Sequence, residues 1–142
     1  MLIGQLALTT AAAFTGAAIY VTIAEHPARL DLDDHALLRQ WQSSYPRAAV
    51  MQASLALGSA LLGGAAFWSS GDWRWLIGAV PIFANLPFTL LAILPTNKRL
   101  QALNPARADA STRALTEAWA RLHLVRNALG LLATAAYLWA AH

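Results

Sequence analysis

The chain has 142 residues, 58% of them hydrophobic and only 12% charged, where an ordinary soluble domain carries about a quarter charged residues, so it reads as one membrane domain. Ten Lys plus Arg against seven Asp plus Glu leave a formal charge of +3, too small and scattered for a nucleic-acid partner and better suited to fixing orientation in a bilayer. With no Cys, disulfides, thiolate metal sites and thiol nucleophiles are excluded.

Leu2 to Ala24 carries no charge and is long enough to cross a hydrocarbon core of about 30 Å. No Lys or Arg precedes it and it exceeds a secretory signal core of about 7–15 residues, so it is expected to be a retained first span. It should end at Glu25-His26-Pro27, because proline disfavours helix in the residue before it. Residues 28–46 then form a polar connection in which His35 to Trp41 has the spacing of a short interfacial helix, and Pro46 restarts the chain. Arg47 to Trp68, rich in Ala and Gly, is the second span. Ser69 to Asp72 is a turn too short for anything but antiparallel neighbours. The third span, Trp73 to Leu94, contains Pro81, Asn85 and Pro87 and should be kinked or locally irregular before stopping at Pro95-Thr96-Asn97. A polar loop leads through Thr116 and Glu117 to the fourth span, Trp119 to Ala140. No repeat, low-complexity tract or second domain is evident. The expected fold is all-α: an integral membrane antiparallel four-helix bundle, a single four-span domain over 1–142, with a short interfacial helix in the first connection.

The first and third connections hold Arg29, Arg39, Arg47, Lys98, Arg99, Arg107, Arg113 and Arg121, whereas the opposite side has only Arg74. The positive-inside rule puts those two connections in the cytoplasm and both termini outside it, in a bacterial inner membrane.

Function is sought on the polar face of the fourth span. Trp119, His123, Arg126, Asn127 and Gly130 share one side of a helix, and ionisable groups within a span usually face a bundle interior or a wet cavity. The plainer alternative is that Arg126 snorkels to the interface and Trp119 joins an aromatic belt, but an anchor does not require His and Asn beside it. Thr15, Ala18, Thr22 and Glu25 also share a face, which turns Glu25 inward. Opposite Arg126 or Arg47 it would be held ionised in a salt bridge, and unpaired it could act as a base. Glu25, His26 and His123 are metal-ligand types, yet neither a His-x-x-x-His nor a Glu-x-x-His spacing occurs. No cofactor is therefore favoured, and a metal stays open. Asn85 either lines a cavity or satisfies carbonyls freed by Pro87. Trp41 and Trp119 lie at the depth of the polar cluster, as does Asn97.

Four segments, Glu25-His26-Pro27-Ala28-Arg29-Leu30, Trp41-Gln42-Ser43-Ser44-Tyr45, Asn85-Leu86-Pro87-Phe88-Thr89 with Pro95-Thr96-Asn97, and Trp119-x-x-x-His123-x-x-Arg126, together resemble the anthrone oxygenase-like family of small four-helix membrane proteins. The resemblance implies oxidation of a polyketide anthrone to an anthraquinone without a classical cofactor. Such chemistry needs a base, a cation for developing negative charge, and an apolar pocket. His123 or Glu25 would be the base, Arg126 the anion stabiliser, and Trp119 and Trp41 the wall, with Asn85, Asn97, His26 and Arg47 as further substrate contacts. The partners are then a hydrophobic small molecule and the lipid bilayer; oligomeric state has no signal in the sequence. A non-enzymatic membrane partner or assembly factor, or a small-molecule or metal-binding carrier, are the alternatives.

Overall fold

A backbone in hydrocarbon has no water to bond to, so apolar runs of this length must satisfy their own amides as helix. The computed structural model describes residues 2–142, and no strand occurs among them. Three helices, α1 (Leu2–Leu30), α2 (Asp34–Ser70) and α3 (Arg74–Ala102), are long and apolar enough to cross a membrane. The fourth, α4 (Ala110–Ala140), is not among those three; His123, Arg126 and Asn127 interrupt its apolar run.

Each helix packs on the next and α4 returns to α1. Near the chain termini the contacts run through alanines and glycines that let backbones approach closely, with Phe14, Trp75, Ile82 and Tyr137 filling the remaining space. Tyr137 Oη donates to the Ser59 carbonyl at 3.0 Å, and Ser59 Oγ donates to the Ala7 carbonyl at 2.9 Å, so one relay links α4, α2 and α1. A second core at the other end gathers Val21, Leu38, Trp41, Ile93, Leu100 and Trp119. There Gln42 Nε2 donates to the Leu100 carbonyl at 2.9 Å, tying α2 to α3.

Helix ends depart from the sequence expectation in one consistent way. Pro27, Pro46 and Pro95 do not stop their helices: α1 runs on to Leu30, α2 begins at Asp34 and passes through Pro46, and α3 continues to Ala102. There is accordingly no separate interfacial helix, because His35 to Trp41 forms the first turns of α2. Polar composition marks where the apolar stretch ends, while helix persists until a real terminator. Asp33 caps α2 by accepting from Ala36 N at 2.8 Å, Gly71 closes it at φ +72°, and Asp109 with Thr112 forms a capping box on α4.

Two of these prolines are accommodated by the same backbone device. Val21–Glu25 and Thr89–Ile93 are π-helical, each followed by one residue and then a proline. A proline ring presses on the carbonyl four residues back, here Ile23 and Leu91, and the wider turn absorbs that clash. The irregularity expected near Pro87 is therefore the π-helical stretch that leads into Pro95. Although the sequence has no repeat of residue identity, the structure repeats this spacing, with a buried polar residue two places beyond each proline, Arg29 and Asn97.

The close approach at Tyr137 gives a direct test. A Cβ at Gly78 would overlap the Tyr137 ring, whereas one at Gly64 meets nothing within 4 Å. Gly78→Ala should cost about 1–3 kcal/mol in detergent unfolding, and Gly64→Ala should be neutral or stabilising by up to about 1 kcal/mol. Equal effects at the two sites would contradict the packing.

Candidate active site

The polar cluster is assembled by hydrogen bonds among three helices. Trp119 Nε1, which can only donate, bonds Asn97 Oδ1 at 2.9 Å, and this fixes the amide so that Asn97 Nδ2 donates to Tyr45 Oη at 2.6 Å. Trp41 stacks on Tyr45 with ring centroids 4.7 Å apart and meets Trp119 edge-on at 5.7 Å. Trp119 in turn stacks on His123 at 5.2 Å. Both stacks join residues four apart on one helix, so α2 and α4 present equivalent aromatic pairs.

His123 is buried, and its Nε2 lies 3.2 Å from the Ala18 carbonyl. A carbonyl only accepts, so Nε2 carries the proton and the lone pair of neutral imidazole is on Nδ1, which has no partner. Ala18 sits in the turn before the π-helical stretch of α1, and its oxygen also accepts from Thr22 Oγ1 at 3.3 Å. Asn127 Nδ2 donates to that same threonine at 2.7 Å. The α1–α4 seam thereby sets the histidine's tautomer.

Arg126 is 8% exposed, forms no ion pair, and has a buried Nε without a hydrogen-bond partner among the described residues. Its guanidinium lies 5.4 Å from the Phe14 ring centroid. Glu25 does not supply the missing charge. Its carboxylate binds Arg29 Nη2 at 2.6 Å, four residues on, and Arg29 also bonds Gln40 and packs 5.8 Å from the Trp119 ring centroid. Nor does Arg47 reach the cluster: it is exposed and bonds the Ser43 carbonyl of its own helix.

Cavities flank the cluster. One of about 320 Å³ lies between α1 and α4 against His26, Glu117, Trp119 and His123. Another of about 270 Å³ lies between α2 and α3 against Tyr45, Thr89 and Arg126. A central space of about 20 Å³ touches Glu25, Trp41, Trp119, His123 and Arg126. Among the described residues no three His, Asp or Glu side chains group to hold a metal ion, Glu25 being engaged by Arg29 while His26 faces the α1–α4 cavity. Asn85 is buried but lines none of these three cavities. It bonds the Pro81 and Ile82 carbonyls of its own helix, both at 3.3 Å, and not the Phe83 carbonyl that Pro87 frees.

The structure thus brings Glu25, Trp41, Asn97, Trp119, His123 and Arg126 together, puts His26 on the adjoining cavity, and leaves Asn85 and Arg47 apart. The sequence does not single out Tyr45, Arg29 or Gln52, which also line the central space, or Thr89 of the α2–α3 cavity. Tyr45 was findable, since it stands one turn from Trp41 as His123 does from Trp119.

The model of the family described as anthrone oxygenase matches residues 41–136, which include Trp41, Tyr45, Asn97, Trp119, His123 and Arg126. The chain belongs to the anthrone oxygenase family. It is also 31% identical over 136 residues to the anthrone oxygenase tpcL of Aspergillus fumigatus, an alignment covering 89% of this chain and 84% of that protein. No solved structure matches it. Within the family frame an unpaired buried cation one turn from an unengaged imidazole nitrogen can stabilise an anion formed by proton abstraction.

The ion-pair assignment makes a double-mutant cycle decisive. Glu25→Ala should destabilise by about 3–5 kcal/mol because Arg29 is left buried and uncompensated, and it should couple strongly to Arg29→Ala. Glu25→Ala should couple more weakly to Arg126→Ala, with which it shares only the lining of the central space. Coupling of Glu25 to Arg126 as strong as its coupling to Arg29 would refute the arrangement.

Proposed function

We propose that this protein is a membrane-embedded oxygenase-like enzyme that oxidises a hydrophobic anthrone or phenolic with O₂. In this reading the four helices form an antiparallel bundle in a bacterial inner membrane, with both termini outside the cytoplasm and the polar pocket near the cytoplasmic face. The observation that carries the reaction is the pair on α4: His123, with its Nδ1 lone pair unengaged, and Arg126, a buried guanidinium without a counter-ion.

In the proposed sequence the methylene carbon of the anthrone's central ring loses a proton, and His123 Nδ1 is the base that finally holds it. The electron pair spreads onto the ring carbonyl oxygen, where Arg126 stabilises the resulting anion. O₂ accepts electrons from that carbon and a C–O bond forms, giving a peroxide that His123 reprotonates. Removal of the second proton at the same carbon forms the C=O and breaks the O–O bond, and the departing hydroxide is protonated to water. One anthrone and one O₂ yield one anthraquinone and one water, with His123 restored. Trp41, Trp119 and Phe14 supply apolar surroundings in which the guanidinium–oxyanion attraction is stronger than in water.

Purified protein supplied with 1,8-dihydroxyanthrone should consume one O₂ per quinone formed. His123→Gln should remain folded while turnover falls by roughly 10²-fold or more, the usual contribution of a general base. Saturable binding without O₂ uptake would make the protein a carrier, and full activity in the variant would remove His123 from the chemistry. For orientation, a reporter active only in the cytoplasm should be silent at the C-terminus and active when inserted near Arg107, and the opposite pattern would reverse the topology.

A further inference from the structure

We infer that the aromatic substrate occupies the cavity between α2 and α3, entering sideways from the bilayer with its acidic oxygen against Arg126, and not the larger cavity between α1 and α4. The inference rests on the proposed reaction for the kind of ligand, but the choice of cavity follows from what each one presents.

At its inner end the α2–α3 cavity presents only donors or neutral groups. Arg126 brings an unpartnered guanidinium Nε, and the buried Thr89 Oγ1 has no partner. Tyr45 accepts from Asn97 through its oxygen, which leaves its own O–H proton free to donate. No carboxylate lines it. The α1–α4 cavity is lined by Glu117 as well as Arg121, His26 and His123, and a carboxylate there repels an anion. A phenolate or enolate therefore has a matched site on one side and a mixed one on the other.

Shape agrees with charge. Small side chains of α2, Ala49 and Ala53, face Leu86 and Leu90 of α3, forming a slot of about 270 Å³, close to the smallest ligand pockets at about 300 Å³. Ala53 and Leu90 are exposed on the outer surface, so the slot opens where lipid would lie. Thr89 and Leu90 belong to the π-helical stretch of α3, a departure from α-helix often found at functional sites. The central space of about 20 Å³ is lined by Tyr45, Arg126 and His123 alike. It is large enough for one water, which gives His123 a route to a proton on a ligand held in the slot.

The test is direct binding of 1,8-dihydroxyanthraquinone, a product-like phenolic that O₂ does not consume, to full-length protein in detergent by equilibrium dialysis. Ala53→Phe, which fills the slot, and Arg126→Gln should each raise Kd at least tenfold, while Ala120→Phe, in the α1–α4 cavity, should change it less than twofold. Leu90→Phe narrows the same slot from α3 and stands in for Ala53→Phe if that variant does not fold. Loss of binding in Ala120→Phe with retention in the slot variants, or no saturable binding by the unaltered protein, would overturn the inference. The expected pattern without O₂ uptake on the anthrone would leave the binding site standing and remove the proposed reaction.

Discussion

One side-chain amide holds the site in register. Asn97 accepts from Trp119 and donates to Tyr45, so a single residue of α3 fixes an aromatic ring on α4 and another on α2. Because indole nitrogen cannot accept, the amide has one orientation, and the hydroxyl proton of Tyr45 is directed away from it. The buried bond is stronger for its low-dielectric surroundings and correspondingly expensive to lose. Trp41 and His123 then follow by stacking on the two rings already fixed.

The two buried arginines show how similar groups are put to different ends. Arg29 is nearly fully buried and met by Glu25, Gln40 and Ser44, so its charge is balanced where it stands and it serves to join α1 to α2. Arg126 has an aromatic face and open cavity instead of a carboxylate. A buried cation lacking a fixed counter-charge is destabilising by itself, and that imbalance is what a transient anion can relieve.

Much of this was legible in the chain. The apolar runs announced membrane helices, and the spacing of Trp119, His123, Arg126 and Asn127 announced one inward face, because helical periodicity is a local property. Partners were less legible, since they depend on how one helix is rotated against another. The sequence points Glu25 toward Arg126 or Arg47, but its partner is four residues away; Pro27 between them suggests a helix end that the π-helical stretch makes unnecessary. Arg47 was drawn inward by depth alone, yet the inner face of α2 is set by Trp41, Tyr45 and Gln52, and residue 47 falls off that line. Asn85 does turn inward, but its amide NH2 is taken up by carbonyls of its own helix and only its Oδ1 is without a partner.

The π-helical stretches carry a consequence for how length variation in this family should be understood. A π-turn accommodates one more residue than the α-turn it replaces, and each residue of α-helix advances the chain by about 100°. Loss of a single residue within Val21–Glu25 would therefore let α1 relax to regular helix while Glu25, His26 and Arg29 keep their facing, whereas the same loss in the regular helix just before it would swing all three about 100° around the axis. In an alignment of relatives, a one-position gap at either stretch leaves the pocket wall in place, whereas the same gap in the regular helix beside it is a redesign of that wall.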